Sequence, residues 1–227
     1  MSAQLGRSKS KALVRVRPHL VAVTGGSGSG KTWLADKLQA AFAPNAARLS
    51  LDDFYLDRSH LSPARRATIN FDHPRAIDWA ALQLVLRRLL AGWPAPVPNY
   101  DFATHSRLQR SKILAPKKVI FVDGLWLLVR PSLRRLFLLT IYIDCSPRLR
   151  LQRRLARDRL LRGRTHGSVC QQFWRTVEPM HERYVAPQMR WANVVVRKNL
   201  SRNELCAIES SVRNALSRPG SQGKSPD

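Results

Sequence analysis

A glycine-rich octapeptide is the stretch of this sequence whose residue types and spacing most clearly suggest chemistry. It fits the pattern G-x-x-x-x-G-K-[ST] and comprises Gly25, Gly26, Ser27, Gly28, Ser29, Gly30, Lys31 and Thr32. Glycines let consecutive backbone N–H groups curl around an anion, and a following helix adds unpaired donors and partial positive charge. Lys31 is placed to reach the β- and γ-phosphates, and the Thr32 hydroxyl to reach Mg²⁺. The loop therefore predicts a nucleoside triphosphate and Mg²⁺ as ligands.

Carboxylates that follow apolar runs are the second group of candidate residues. Asp52 and Asp53 come after residues 47–51, and Asp123 comes after residues 119–122. Asp123 stands where an acid supports Mg²⁺ opposite a phosphate loop, although an Asp before Gly124 could also simply form a turn. Asp52 is placed to orient an attacking hydroxyl or accept its proton. Asp53 could do the same or only cap a helix, and the residues alone do not separate the two.

Arginines are the third group, because phosphoryl transfer needs positive charge around the equatorial oxygens. The basic stretch contains Arg153, Arg154, Arg157, Arg162 and Arg164. On a helix, Arg150, Arg154 and Arg157 would share one face, while Leu151 and Leu155 could anchor another face to the core. Gly163 could act as the hinge of a mobile segment. The alternative is a solvated basic face.

These groups must be positioned by strands and helices, and the apolar pattern predicts where those lie. The loop is preceded by a buried strand at residues 19–24 and followed by a helix at 33–42, which is the context that the motif requires. Further strands are predicted at residues 47–51, 119–122, 138–143 and 192–196, and helices at 79–90, 148–161, 168–184 and 202–217. Alternating strands and helices predict an α/β fold with a mostly parallel sheet covered on both faces.

Composition limits the class of protein and its partners. The chain has 227 residues and a formal net charge of +24, an excess that suits polyanionic ligands from nucleotides to nucleic acid. No apolar run approaches a membrane span, so no membrane partner is expected. The three cysteines are scattered and lack metal-ligand spacing, which predicts reduced thiols and a cytoplasmic protein. Residues 1–18 are predicted to form a basic flexible arm, residues 19–217 the domain that carries the phosphate loop, and residues 218–227 a disordered tail.

Ordered blocks over about residues 20–197 make the sequence resemble the uridine (uridine–cytidine) kinases, within the phosphoribulokinase/uridine kinase group of P-loop kinases. Beyond the phosphate loop they are Ser50–Tyr55, Asn70–Pro74, Pro98–Phe102 with His105–Arg107, Asp123–Gly124, Arg154–Arg164, Val177–His181 and Ala192–Val195. The Asn-Phe-Asp-His-Pro and Tyr-Asp-Phe…His-Ser-Arg blocks are much more specific than the loop. The resemblance implies a small β-hairpin insertion at the acceptor site and an Arg-rich lid.

The resemblance also implies roles for single residues. Asp52 matches the catalytic base that acts on a nucleoside 5′-hydroxyl. Asp72 matches the acid that binds the ribose hydroxyls, with Arg154 as partner. The lid arginines that contact phosphates correspond to Arg157, Arg162 and Arg164. The pyrimidine base would be held by Tyr100 and His105, with Tyr55 nearby and Gln172 as a further contact on the base or ribose side.

The expected reaction is transfer of the γ-phosphate of ATP, or of GTP, to uridine or cytidine, giving UMP or CMP. One departure concerns Asp123, which stands where the family usually has Glu; its shorter reach would insert water between carboxylate and metal. Two alternatives stay open at this point. One is a related kinase acting on a sugar phosphate or a pantothenate-like molecule, and the other is a P-loop ATPase that binds nucleic acid. The resemblance suggests a homo-oligomer, and the basic tails could bind polyanions incidentally.

Overall fold

The computed structural model describes residues 17–102, 104–197 and 201–218. Of the predicted basic arm, only residues 17 and 18 fall within this part of the chain, and of the predicted tail only residue 218. The described helices and strands begin at His19 and end at Ser217.

Nine strands are present in the described ranges. In chain order they are β1 (His19–Gly25), β2 (Ala46–Ser50), β3 (Ala95–Val97), β4 (Tyr100–Asp101), β5 (Ser106–Arg107), β6 (Lys112–Leu114), β7 (Val119–Gly124), β8 (Phe137–Ile143) and β9 (Val194–Val196). Five of them form one parallel sheet in the order β2-β7-β1-β8-β9. The phosphate loop follows the central strand β1. In such sheets ligands bind beyond the carboxyl ends of the strands.

The remaining four strands form two small antiparallel pairs, β3 with β6 and β4 with β5. They lie between α3 (Trp79–Leu90) and β7 in the sequence. The other helices are α1 (Lys31–Ala41), α2 (Pro63–Ala67), α4 (Pro131–Arg134), α5 (Pro147–Arg162), α6 (His166–Gln172), α7 (Glu178–Met180) and α8 (Arg202–Ser217). The α/β fold class predicted from the sequence is therefore confirmed.

Strand β1 shows why both faces of the sheet are covered. Val21 and Val23 point to the layer that contains α1 and α8, whereas Leu20 and Ala22 point to the layer that contains α3. All four side chains are fully buried. Alternate residues of a strand face opposite sides, so a strand buried on both sides must be apolar throughout.

Three local features differ from the sequence prediction. The stretch 56–75, predicted as irregular, contains the short helix α2, which begins at Pro63 and is capped by the Ser62 side chain. The short helix α4 was also not predicted. The helix predicted at 168–184 is instead a chain of short pieces, in which α6 and α7 alternate with π-helical turns at Phe173–Val177 and His181–Val185. Proline at 179 has no N–H to continue a regular ladder.

Within the described ranges, no helix combines the length and the apolar character needed to cross a lipid bilayer.

Candidate active site

The glycines of the phosphate loop are required by close packing as well as by backbone conformation. Gly28 and Gly30 have φ angles of 82° and 98°, in the left-handed region. A Cβ atom on Gly28 would lie 2.5 Å from the Arg150 carbonyl oxygen, and one on Gly26 would lie 2.7 Å from Arg150 Cδ. The loop is therefore pressed against α5, and its shape depends on that helix.

Two arginines of α5 hold the phosphate loop and its surroundings in place through hydrogen bonds and an ion pair. The Arg150 side chain is 1% exposed, and its Nη2 forms an ion pair with Glu178 Oε2 at 2.6 Å. Its Nε donates to the Cys145 carbonyl at 3.0 Å, and Arg153 Nη1 donates to the Ser29 carbonyl at 2.9 Å. The sequence predicts that this helix is part of a lid or presents a solvated basic face. The sequence shows the spacing of the arginines but does not predict their burial. In the structure Arg150 and Arg154 are buried, whereas Leu160 is 83% exposed.

Lys31 is the first residue of α1, at the end of the phosphate loop, and its side chain is buried. Its Nζ donates to the Gly26 carbonyl at 3.3 Å. Burial lowers the pKa of Lys31, and the negative charges of Asp52 and Asp123 oppose that shift. The structure therefore brings both predicted carboxylates into electrostatic reach of the predicted phosphate-binding ammonium.

Asp123 is the next-to-last residue of β7 and is 1% exposed. The Thr32 hydroxyl donates to Asp123 Oδ2 at 3.0 Å, so the two predicted metal residues do meet. A hydroxyl and a carboxylate are the hard oxygen donors that suit Mg²⁺, so this pair fits the ion. The other carboxylate oxygen, Oδ1, accepts a hydrogen bond from Arg48 Nε at 2.8 Å. Arg48 was not anticipated, because nothing in the sequence pairs β2 with β7.

Asp52 and Asp53 lie on a 3₁₀ turn at Leu51–Phe54 that follows β2. The Ser50 hydroxyl accepts a hydrogen bond from the Asp52 N–H at 3.3 Å and so caps the turn. Burial raises the pKa of Asp53, and the Asp52 and Asp123 charges raise it further, whereas Lys112 opposes the change. The charge of Asp52 acts on Lys31. This supports Asp52, the residue that the family resemblance implies, for the reacting hydroxyl.

A cleft of about 870 Å³ adjoins the phosphate loop beyond the ends of β8 and β9. The lining residues include Ser29, Gly30, Trp33, Cys145, Arg153 and Arg197. Trp33 is 46% exposed and offers an aromatic surface next to the loop. The cleft is large enough for the nucleoside part of a donor nucleotide. Its lining residues other than Ser29 and Gly30 were not predicted from the sequence to bind the donor.

An aromatic cluster joins the residues predicted to hold the acceptor base. The Tyr55 ring lies 5.2 Å from Tyr100 and 5.9 Å from Phe71, between ring centroids. The His105 ring stacks on Phe71 at 4.4 Å with an interplanar angle of 11°. Burial raises the pKa of Tyr100 to about 12, so its hydroxyl stays protonated. Phe71, which links Tyr55 to His105, stands in the Asn-Phe-Asp-His-Pro block, but the sequence alone assigned it no role.

Arg107 fastens the hairpin β4–β5 to the turn that carries Asp52. Its Nε donates to the Tyr55 carbonyl at 2.9 Å, its Nη2 donates to the Phe54 carbonyl at 3.3 Å, and its Nη1 forms an ion pair with Asp78 at 3.1 Å. The aromatic cluster and the Asp52 carboxylate are therefore held in one unit.

Asp72 lines a small cavity together with Ser27 of the phosphate loop, Trp126 and His181. Within the described ranges, Trp126 Nε1 and His181 Nδ1 are buried and have no hydrogen-bond partner. Burial lowers the pKa of His181 to about 4, with further contributions from Arg150 and Lys31, so the ring is neutral near pH 7. Buried polar groups usually have a partner, which makes these two candidates for contact with a polar ligand. Sequence reasoning did not select Trp126 or His181.

The remaining predicted residues lie on or next to α5. Arg154 Nη1 donates to the Ser27 hydroxyl at 2.6 Å and its Nη2 to Gln172 Oε1 at 3.1 Å. Arg164 also donates to Gln172 Oε1. Arg157 is more exposed and forms an ion pair with the neighbouring Asp158 at 2.8 Å. Arg162 ends α5, and its side chain is not among those described.

The amino-acid sequence matches the profile of the Phosphoribulokinase / Uridine kinase family over residues 20–204. A uridine kinase of Chloroflexus aurantiacus is 41% identical over 179 residues, which cover 78% of this chain and 86% of that protein. A uridine kinase of Streptococcus mutans is 37% identical over 198 residues, which cover 86% of this chain and 93% of that protein.

Several solved structures have a fold similar to that of this chain. A putative fructose transport system kinase from Silicibacter sp. TM1040 superposes with a TM-score of 0.64 at 22% identity, covering 82% of this chain and 92% of that one. Phosphoribulokinase from Rhodobacter spheroides gives a TM-score of 0.59 at 20% identity, covering 80% of this chain and 70% of that one. At these identities the likeness concerns the fold alone.

Proposed function

Because the chain belongs to the Phosphoribulokinase / Uridine kinase family, we propose that it transfers the γ-phosphate of ATP or GTP to the 5′-hydroxyl of uridine or cytidine, giving UMP or CMP. The observation that carries this proposal is the position of Lys31, which lies within electrostatic reach of both Asp52 and Asp123. A phosphate donor at the loop would then have an acceptor-orienting carboxylate and a metal-supporting carboxylate within the same site.

The donor half of the site consists of the phosphate loop, Lys31 and Thr32. Backbone N–H groups and the start of α1 supply an anion cradle, while the Lys31 ammonium supplies positive charge near the β- and γ-phosphates. The cleft beside Trp33 would take the nucleoside part of the donor. Thr32 would hold Mg²⁺ with support from Asp123, and the ion when bound neutralises charge on the phosphate oxygens.

The acceptor half consists of Asp52, Asp72 and the aromatic cluster. Asp52 would orient the 5′-hydroxyl and accept its proton as the hydroxyl oxygen attacks the γ-phosphorus. A pyrimidine offers a flat ring and polar edges, which suits the Tyr100 ring and the His105 imidazole. Asp72, next to Ser27 in the small cavity, would accept hydrogen bonds from the ribose hydroxyls. This acceptor set is the reason for preferring a nucleoside kinase over a simple ATPase.

Positive charge from α5 completes the proposed site. Arg157, Arg162 and Arg164 would contact the phosphates, and Arg154 together with Gln172 would connect the loop to the acceptor. Arginine is suited to this role because its guanidinium presents several donors in one plane. Exclusion of water by this layer would favour transfer to the nucleoside over hydrolysis.

The test is phosphate transfer from radiolabelled ATP and GTP to a panel of alcohols. The panel contains uridine, cytidine, a purine nucleoside, ribulose 5-phosphate, pantothenate and fructose. We expect labelled UMP and CMP, with transfer to the other acceptors much slower. Efficient labelling of another alcohol without labelling of uridine or cytidine would reject the pyrimidine assignment while leaving the kinase chemistry intact.

Three further parts of the proposal concern the state of the protein. We propose a cytoplasmic enzyme, which the three free cysteines support. A homo-oligomer is proposed from the family resemblance, and light scattering of the purified protein would measure it. Binding of polyanions by the basic ends of the chain is proposed from charge alone.

A further inference from the structure

Strand β2 carries an arginine towards the metal-supporting carboxylate. Arg48 precedes Ser50 by two residues, and Ser50 is the register partner of Asp123, so both Arg48 and Asp123 face the side of the sheet that α1 covers. Arg48 Nε donates to Asp123 Oδ1 at 2.8 Å, and its Nη1 forms an ion pair with Asp36 of α1 at 3.1 Å. The guanidinium is thus fixed between two carboxylates of different elements.

This contact leaves neither oxygen of the Asp123 carboxylate without a donor. Oδ1 is bonded to the Arg48 guanidinium and Oδ2 to the Thr32 hydroxyl, at 2.8 Å and 3.0 Å. The side chain is 1% exposed, so the pair lies in a medium that screens charge poorly. A divalent cation bonded directly to this carboxylate would have to approach a fixed positive charge.

Three further carboxylates act on the basic side chains of this region. Asp36 and Asp53 act electrostatically on Arg48, and Asp52 acts on Lys31. An arginine guanidinium does not lose its proton in proteins, so the positive charge beside Asp123 is permanent.

We infer that Arg48 keeps Asp123 out of direct metal coordination, so that a divalent cation binds strongly only together with the nucleoside triphosphate. In this arrangement Thr32 would hold the cation together with the phosphates of the nucleotide, and Asp123 would be a positioning residue that orients the Thr32 hydroxyl. The inference rests on the proposed function, because it takes the phosphate loop to bind a metal–nucleotide complex.

Binding of Mn²⁺ to the intact chain, followed through the electron paramagnetic resonance signal of the free ion, tests the inference without measuring activity. The protein is compared with Arg48→Gln, which keeps a hydrogen-bond donor and loses the charge, and with Arg48→Lys, which keeps the charge. Without nucleotide, we expect Arg48→Gln to bind Mn²⁺ at least about tenfold more tightly than the unmodified protein. Arg48→Lys should bind it no better than the unmodified protein. With a non-hydrolysable ATP analogue, all three should bind Mn²⁺.

Asp123→Asn in the Arg48→Gln background is the matched control and should abolish the gain, because the gain depends on the released carboxylate. If Arg48→Gln does not fold, as judged by circular dichroism, Arg48→Met removes the same charge with an apolar side chain of similar length.

Equal Mn²⁺ affinities of the charged and neutral variants without nucleotide would overturn the inference, and so would tight nucleotide-free binding by the unmodified protein. Failure of the unmodified protein to bind the ATP analogue with Mn²⁺ would instead count against the proposed donor site. A purely structural role of Arg48 would change thermal stability but not this metal-affinity pattern.

Discussion

At the scale of single residues, the site depends on two carboxylates with different surroundings. Asp123 is buried and bonded on both oxygens, whereas Asp52 is half-buried on a turn and acts electrostatically on Lys31. A carboxylate already held by a guanidinium and a hydroxyl is poorly suited to receive a proton during a reaction, which argues against Asp123 as the proton acceptor. Asp52 is the residue that we propose for that role.

Replacing Asp52 tests that assignment. Asp52→Asn removes the proton acceptor and leaves the phosphate loop untouched, so we expect kcat for uridine phosphorylation to fall by about a hundred- to ten-thousand-fold. Binding of an ATP analogue, measured by calorimetry, should change little. Asp53→Asn is the matched control, because it removes a neighbouring carboxylate of the same turn. A larger loss in Asp53→Asn than in Asp52→Asn would reverse the two roles.

A second residue-scale prediction concerns Gly28. Gly28→Ala places a Cβ in the left-handed region and 2.5 Å from the Arg150 carbonyl, so the loop or α5 must shift. We expect at least about 1–2 kcal/mol of destabilisation from the backbone conformation alone, together with weaker binding of nucleotide. The measurements are urea unfolding and calorimetric titration with an ATP analogue.

Gly167 supplies the control for that substitution. It lies in α6, and a Cβ there would meet no atom within 4 Å. Gly167→Ala should therefore be neutral or stabilising by about 0.5–1 kcal/mol, because alanine is the better helix former. If both alanine variants bound nucleotide normally, the close packing of loop and helix would not be essential.

At the scale of elements, the loop is shaped by the elements that follow β8. Arg150 of α5 packs against two loop glycines and pairs with Glu178 of α7, while His181, at the start of the second π-helical turn, approaches Gly26. Single π-helical turns inside helices are frequent at functional sites, because they redirect side chains that a regular helix would point elsewhere. Here they place a neutral histidine beside the phosphate loop.

The burial of His181 predicts a pH dependence of stability. Its pKa is lowered to about 4 in the folded protein, while the unfolded chain has the ordinary value of 6.5. Between these values the unfolded state binds more protons, so the free energy of unfolding falls as the pH falls from 6.5 towards 4. From pH 7.5 to pH 5 we expect this residue to account for about 1–2 kcal/mol of the decrease. Urea unfolding at a series of pH values measures it.

The comparison with His181→Gln isolates this contribution from those of other groups. His19 and His73 also have lowered pKa values through burial and remain in both proteins. The difference in unfolding free energy between the two proteins should shrink or reverse as the pH is lowered. A difference that stays constant from pH 7.5 to pH 5 would show that His181 does not titrate in this way.

At the scale of the whole molecule, the outstanding property is charge. There are 39 Lys and Arg residues against 15 Asp and Glu residues, far beyond what a nucleotide site requires. Some of the excess lies on the folded body, where Arg134 and Arg190 cover the Trp191 ring at 3.8 Å and 4.1 Å from its centroid. The basic arm predicted at residues 1–18 adds to it. Such a molecule should attract polyanions over several ångströms of solution.

The salt dependence of oligonucleotide binding measures how many phosphates the basic residues of this protein neutralise. We expect the full chain to bind single-stranded RNA in a sequence-independent way, with log K falling linearly against log salt concentration. Deleting residues 1–16 should make the slope shallower by about 0.7 for each phosphate that this segment neutralises in the full chain. An unchanged slope would assign the binding to the folded body, and absence of binding at about 50 mM salt would contradict the prediction.

Much of the fold and of the phosphate-binding site could be predicted from local sequence. The phosphate loop, its flanking strand and helix, and the alternating pattern that predicts a parallel sheet all depend on residues close together in the chain. The acceptor residues Tyr100 and His105 were proposed from short sequence blocks, and the structure joins them through Tyr55 and Phe71. Their roles remain predictions until a ligand-binding experiment is done.

Only the tertiary structure decided which arginines are buried and which carboxylate each one meets. Arg48 and Asp123 are 75 residues apart, and they meet because β2 pairs in parallel with β7. Arg150 is likewise buried by packing against a loop more than a hundred residues earlier in the chain. Periodicity reports which residues share a face of one element, but it carries no information on what that face packs against. Strand order and helix docking supply that information, and they arise from the chain as a whole.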